Sequence, residues 1–305
     1  MKNSFILGLI ILLISCSKQE IEKEIVPVVP VVPVAEFVQF AVTQAKFAQS
    51  LKLIKREVSY LTSSALLKNV RMFSYDGNNR CTEIKIGIID SSQTNPAFNL
   101  KQTLTLNYNG ASVLPSSVSS VRTVFPHLVT IFYYKYNSEG LKIQDSVQVK
   151  NTAGDPAYRT VKYVYDKDQV YTTPVLSGFP YDNIPFDTLS LLKNGNIERV
   201  VSKMKTSTGD LIATYAFTYD KYISPYNKLN IANSLYFENS AIGLGYNVPL
   251  ETHYMGVTIN NMTSWSSGSY TVSFKYVYDA DKYPLKKEMI LPGNTNPYQV
   301  ILFEY

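Results

Sequence analysis

Apolar and polar side chains alternate along most of this chain, and the alternation keeps ending on the same short stretch. An aromatic, any residue, Tyr, then Asp or Asn occurs as Phe73-Ser74-Tyr75-Asp76, Tyr134-Lys135-Tyr136-Asn137 and Tyr163-Val164-Tyr165-Asp166. Phe217-Thr218-Tyr219-Asp220 and Tyr276-Val277-Tyr278-Asp279 repeat it, and Leu106-Asn107-Tyr108-Asn109 and Leu244-Gly245-Tyr246-Asn247 are leucine variants. Phe303-Glu304-Tyr305 carries it once more. Four residues before each Tyr stand Arg71, Leu104, Phe132, Val161, Tyr215, Ile242, Phe274 and Ile301, apolar or aromatic in all but the first. The intervening positions are mixed. Period-two alternation with one apolar face predicts half-buried antiparallel strands. The Asp or Asn that follows starts a turn, because its side chain can accept a hydrogen bond from backbone two residues on.

The repeat tyrosines are 27 to 33 residues apart, except for one interval of 54 between Tyr165 and Tyr219. Its midpoint falls near Leu191-Leu192-Lys193-Asn194-Gly195, a degenerate copy that keeps the turn residues and loses the Tyr. One such unit is two strands with their loops. The fold expected is therefore all-β, an antiparallel meander of about eight repeated hairpins. Strands are expected over Lys52 to Tyr60, Leu67 to Tyr75 and Cys81 to Ile89. One short helix is expected within Ala35 to Ser50, where Phe37, Phe40 and Phe47 share a helical face.

The N-terminus adds an address. Lys2, the apolar run Phe5 to Ile14 and small Ser15 read as a signal peptide over residues 1–15. Leu13-Ile14-Ser15-Cys16 resembles a bacterial lipobox, which implies that Cys16 is acylated and becomes the first mature residue, with the membrane as partner. Residues 16–34 form a tether. Its Val-Pro repeats from Val26 to Val34 favour an extended spacer of about 3.1 Å per residue. Residues 35–305 make a single β domain. The expected location is the cell envelope, as an outer-membrane lipoprotein, facing either the periplasm or the outside.

The Tyr-x-Tyr-Asp endings resemble the YD repeats of the Rhs family, without the Gly-Arg-Leu that usually follows the turn; Asp76-Gly77-Asn78-Asn79-Arg80-Cys81-Thr82-Glu83-Ile84 comes nearest. A closer resemblance is to Bacteroidota envelope lipoproteins of unknown function. These combine a lipobox, a short tether, strand-turn units of this kind and a late Asn-Asn-x-Thr/Ser element, here Asn260-Asn261-Met262-Thr263-Ser264. The resemblance implies an envelope β-protein and supplies no activity.

Composition narrows the chemistry. The 24 Tyr and 14 Phe suit β structure. The net charge of +5 is spread through the strands without a basic cluster, so no nucleic acid is expected. With Cys16 taken by the anchor, Cys81 is a lone thiol, read as buried and idle. His127 and His253 lie far apart. Asp166-x-Asp168 and Asp279-x-Asp281 offer oxygens to Ca²⁺, but turn-forming Asp accounts for them and no third acidic ligand is near. No cofactor or metal is implied. Asp182, Asp187, Glu198, Glu238 and Glu251 are the carboxylates a hydrolase would draw on, with nothing in their spacing to pair them.

Three functions fit. The preferred one is a non-enzymatic module that binds a glycan or an envelope protein. The alternatives are a structural or assembly component and a carboxylate-dependent hydrolase. The repeat aromatics are expected to face the core, so the candidate ligand-binding residues are Trp265, Tyr254, Tyr222 and Tyr226, in the irregular segment 221–268.

Overall fold

In the computed structural model the described residues are 52–138, 142–151, 154–166, 169–177, 186–193, 196–206, 209–226 and 260–305. The expected signal peptide, Cys16, the tether, the helix, the Tyr246 copy, Tyr254 and His253 lie outside them.

Sixteen strands occupy the described residues. They are β1 (Arg56–Leu61), β2 (Leu67–Tyr75), β3 (Cys81–Asp90), β4 (Phe98–Tyr108), β5 (Pro115–Arg122), β6 (Phe125–Tyr136), β7 (Lys142–Asn151) and β8 (Gly154–Asp166). The second half is β9 (Gln169–Ser177), β10 (Phe186–Lys193), β11 (Asn196–Thr206), β12 (Gly209–Ile223), β13 (Asn260–Ser267), β14 (Tyr270–Tyr278), β15 (Pro284–Ile290) and β16 (Gln299–Glu304). A single 3-10 turn, Thr62–Ser64, follows β1. The all-β meander of repeated hairpins is what the alternation predicts. Each repeat copy among these residues falls at the end of an even-numbered strand, except that β12 runs on from Asp220 to Ile223, and Leu191-Leu192-Lys193 of the degenerate copy end β10.

Every strand pairs antiparallel with its sequence neighbour, and β1 pairs with β16 through Arg56↔Glu304 to Leu61↔Gln299, so the sheet closes into a barrel. Closure removes both edges, the usual liability of a sheet. The Tyr-Asp turns gather at one end, called here the turn end. The connections at 62–66, 91–97, 123–124, 268–269 and 291–298 form the far end. The chain enters at the turn end, where Lys52 donates its backbone N–H to the Tyr283 hydroxyl and its Nζ meets Asp279 at 2.7 Å.

Register assigns side chains to faces. Inward go Phe73, Ile84, Leu104, Leu106, Val118, Phe132, Tyr134, Ile301 and Phe303, which form one buried cluster. Phe217, Met262, Val272, Phe274 and Met289 form a second. Outward go the alternate residues, among them Arg56, Glu83, Lys85, Lys135, Lys275, Lys286, Glu288 and Glu304. Around β1 the outward face also buries Val58, Val70 and Val300. Beside Val70 stands Gly87, where a side chain has no room: an added Cβ would lie 2.5 Å from the Phe98 ring and 2.4 Å from the Asn99 carbonyl oxygen.

Candidate binding site inside the barrel

The repeat tyrosine makes the same bond again and again. Its hydroxyl donates to the backbone carbonyl at, or just before, the start of the preceding strand. The pairs are Tyr75 to Ile54 at 2.8 Å, Tyr108 to Cys81 at 2.7 Å, Tyr136 to Pro115 at 2.9 Å and Tyr305 to Pro284 at 3.0 Å. The ring packs on the core while the hydroxyl serves a backbone acceptor, which Phe could not do. Burial pushes the Tyr75, Tyr108 and Tyr305 hydroxyls well above their ordinary range, so they remain protonated donors.

The Asp after the Tyr holds the turn. Asp76 Oδ1 accepts the N–H groups of Asn78 and Arg80, each at 2.9 Å, and Oδ2 accepts Arg80 Nε at 2.7 Å. These bonds, the backbone N–H of Arg80 first, hold its carboxyl below the usual value of 3.8. Asn79 takes the left-handed φ of 59° that the turn requires. Arg80 then reaches the next turn, donating to the Gly110 and Ser112 carbonyls and lying over the Tyr108 ring. Asp279 repeats the arrangement, accepting the Tyr283 N–H at 2.8 Å, with Lys282 at φ 67°. The Lys52 ammonium lies 2.7 Å from Asp279 and 2.6 Å from Asp281, so a protein cation already occupies the place the calcium reading needed.

The pattern breaks at β12–β14. Register shifts fall between Thr218 and Tyr219 and between Tyr219 and Ile223. Here Tyr276 donates to the Met262 carbonyl at 2.8 Å, and the copy's own Tyr278 turns its hydroxyl to Asp220 Oδ2. Asn261, 2% exposed, donates to Asp220 and to the Tyr222 carbonyl, and Asn260 exchanges bonds with Asn196. The Asn-Asn element thus fastens this junction.

Along the barrel axis the interior changes character. The rows nearest the turn end are aromatic and aliphatic. Farther in, the wall of β1–β6 becomes polar. Glu57, 2% exposed, accepts Arg71 Nη1 at 2.8 Å and the Tyr226 hydroxyl at 2.7 Å. Gln102 donates to Ser120 Oγ at 2.6 Å, while its Oε1 is buried with no hydrogen-bond partner. On the β12–β14 wall the far rows stay aromatic. Tyr215 and Trp265 have ring centroids 6.5 Å apart, and Trp265 and Tyr270 5.6 Å. Trp265 Nε1 is also buried and has no hydrogen-bond partner among the described residues. Between the walls, the buried Lys287 lies over the Phe274 ring at 4.3 Å.

The candidate residues therefore separate. Tyr226 is 7% exposed and packs edge-on to Phe303 in the first cluster. Trp265 packs on the second. Tyr222 sits at the junction, its ring 4.7 Å from that of Tyr278. Of these, only Trp265 reaches the far part of the interior. Sequence reasoning passed over Gln102 and Tyr270. Arg71 was visible as the polar exception in an otherwise apolar column. Cys81 is fully buried, and burial pushes its thiol up to about 12, which keeps it protonated at neutral pH. His127 is exposed near the start of β6. Asp187 lies in β10 and Glu198 is exposed in β11, while Asp182, Glu238 and Glu251 lie outside the described residues.

A solved structure shares this architecture. A porin-like protein from Bacteroides uniformis aligns with a TM-score of 0.50 at 14% identity, over 83% of this chain and 96% of its own. The fold resembles that protein's. A porin-like protein from Bacteroides vulgatus aligns with a TM-score of 0.49 at 11% identity, over 84% and 99%. TcdB2-TccC3 aligns with a TM-score of 0.22 at 12% identity, over 81% of this chain and 16% of that one. No protein-family model matches the chain, and no curated protein does.

Proposed function

We propose that this protein is a lipid-anchored module of the cell envelope whose barrel stands in water and binds a ligand, with no enzymatic activity of its own. The outward face carries the argument. Lys85 pairs with Glu83 at 3.1 Å and Lys286 with Glu288 at 2.5 Å inside their strands, and Arg56 pairs with Glu304 at 3.1 Å where β1 begins and β16 ends. Lys275 faces Glu288 across β14–β15, and Lys135 is exposed on β6. A lysine or arginine facing lipid costs about 2–4 kcal/mol at the bilayer midplane, and a membrane barrel keeps an apolar band about 25 Å tall. These charges support a barrel bathed in water, although Tyr133, Ile212 and Val277 are also exposed on the outward face. The porin-like name belongs to the Bacteroides proteins, and the residues here support shape without insertion.

Anchorage then rests on Cys16, since multiple acyl chains hold stably where one is marginal. The closed sheet offers no edge for a partner to extend, which favours binding inside the barrel or at its connections over strand addition. Replacing Cys16 by Ala tests the reading. The variant is expected to move from the membrane fraction to the soluble fraction without detergent. Retention of Cys16→Ala in membranes after alkaline carbonate extraction would overturn it.

A further inference from the structure

The aromatic wall at the far end has the makings of a sugar site. Tyr270 lies on the inward row of β14 at the barrel mouth and is 46% exposed, which is unusual for a ring aimed at the interior. Behind it come Trp265 and then Tyr215, ring against ring, leading inward from solvent. Ser267, opposite Tyr270 in the register, puts a hydroxyl at the mouth. The inward row of this wall runs Met262, Trp265, Ser267, Tyr270, Val272 and Phe274, with no charge among them. The inward cation of the neighbouring strand, Lys287, is buried over the Phe274 ring rather than presented at the mouth beside Tyr270.

We infer that this wall binds a neutral saccharide, one pyranose ring lying against Tyr270 and Trp265 and a hydroxyl accepting from Trp265 Nε1. This deepens the binding reading above and rests on it. A sugar ring presents an apolar face of C–H groups and a periphery of hydroxyls, the two features that this wall can meet. The indole N–H makes the case more specific. A buried donor left unpaired costs about 1–3 kcal/mol, and a ligand oxygen removes that penalty. The same ring supplies the stacking face.

Trp265 is the sole tryptophan of the chain, so its fluorescence reports this wall alone. The experiment titrates the purified full-length protein with a panel of neutral oligosaccharides of two to four hexose units and follows Trp265 emission. At least one is expected to give a saturable shift. Tyr270→Ala should weaken that binding about tenfold, the size of one lost stacking contact, while Tyr270→Phe keeps it. Tyr270 is half exposed, and circular dichroism checks that both variants fold. No saturable shift across the panel, or Tyr270→Ala binding as tightly as the unaltered protein, would overturn the inference. Either result leaves the water-exposed barrel standing if Cys16→Ala is soluble, whereas a membrane-retained Cys16→Ala removes the larger reading whatever the sugars do.

Discussion

The strands on either side of the closure and the junction at β12–β14 are built from one repeat but use it differently. In β1–β6 and β15–β16 the Tyr of each copy bonds the start of the strand before, and one turn is stapled to the next through Arg80. At β12–β14 a second register shift, between Tyr219 and Ile223, adds to the one that also precedes Tyr75, Tyr108 and Tyr136; Tyr276 takes over the carbonyl bond, and Tyr278 serves Asp220 instead. Regular copies lock register because hydroxyl and carbonyl meet at only one offset. Where the offset changes, a polar cluster of Asp220, Asn260 and Asn261 has to replace the lock. A repeat protein can therefore vary one unit without losing closure, provided that every orphaned backbone group finds a new partner.

The largest effect expected from disturbing this contrast lies in the regular part. Arg71→Ala strips Glu57 of its cationic partner while leaving the carboxylate buried, and should cost about 3–5 kcal/mol in denaturant unfolding. A smaller and more direct comparison sets Tyr108→Phe against Tyr278→Phe. Tyr108→Phe orphans the Cys81 carbonyl in the core and should cost about 1–3 kcal/mol. Tyr278→Phe should cost less, since Asp220 keeps the Tyr222 N–H and Asn261. Equal losses at the two positions would mean that the regular bond has no special weight. The smallest effect is electrostatic. The Asp76 carboxyl is held below 3.8 by the Arg80 and Asn78 bonds, so its contribution is present above that pH and fades as pH falls through the folded value. Melting temperature should therefore drop below about pH 4, and Asp76→Asn should flatten that acid limb while lowering the neutral plateau slightly.

Much of this was legible in the sequence, and the reasons differ by element. Strands and faces followed from alternation, because burial on one side of a sheet imposes period two on side chains. The hairpin count followed from the Tyr spacing, and even the Tyr-less copy at Leu191–Gly195 falls where β10 ends. The partner of the repeat Tyr was not legible, since a backbone carbonyl has no letter in the sequence. Tyr75, Tyr136 and Tyr305 each reach 21 residues back but Tyr108 reaches 27, because the turn and loop lengths between the strands differ. Closure could not be read, because it depends on β1 meeting β16, and alternation is a local signal. Tyr226 illustrates the remaining gap. It stands in an irregular segment and resembles a loop aromatic, but its hydroxyl is spent on Glu57, 169 residues away.

The seam between β1 and β16 also sets the order in which this molecule can be finished. Arg56 and Glu304 are 248 residues apart, and until they meet β1 has one side without a partner. The sixteen strands can zip as fifteen neighbour pairs, but the final pairing must close the longest loop of all. During that interval the growing sheet exposes two open edges, the state most prone to pairing with another copy. Folding speed and yield should thus be governed by the last hairpin, β15–β16, rather than by the first.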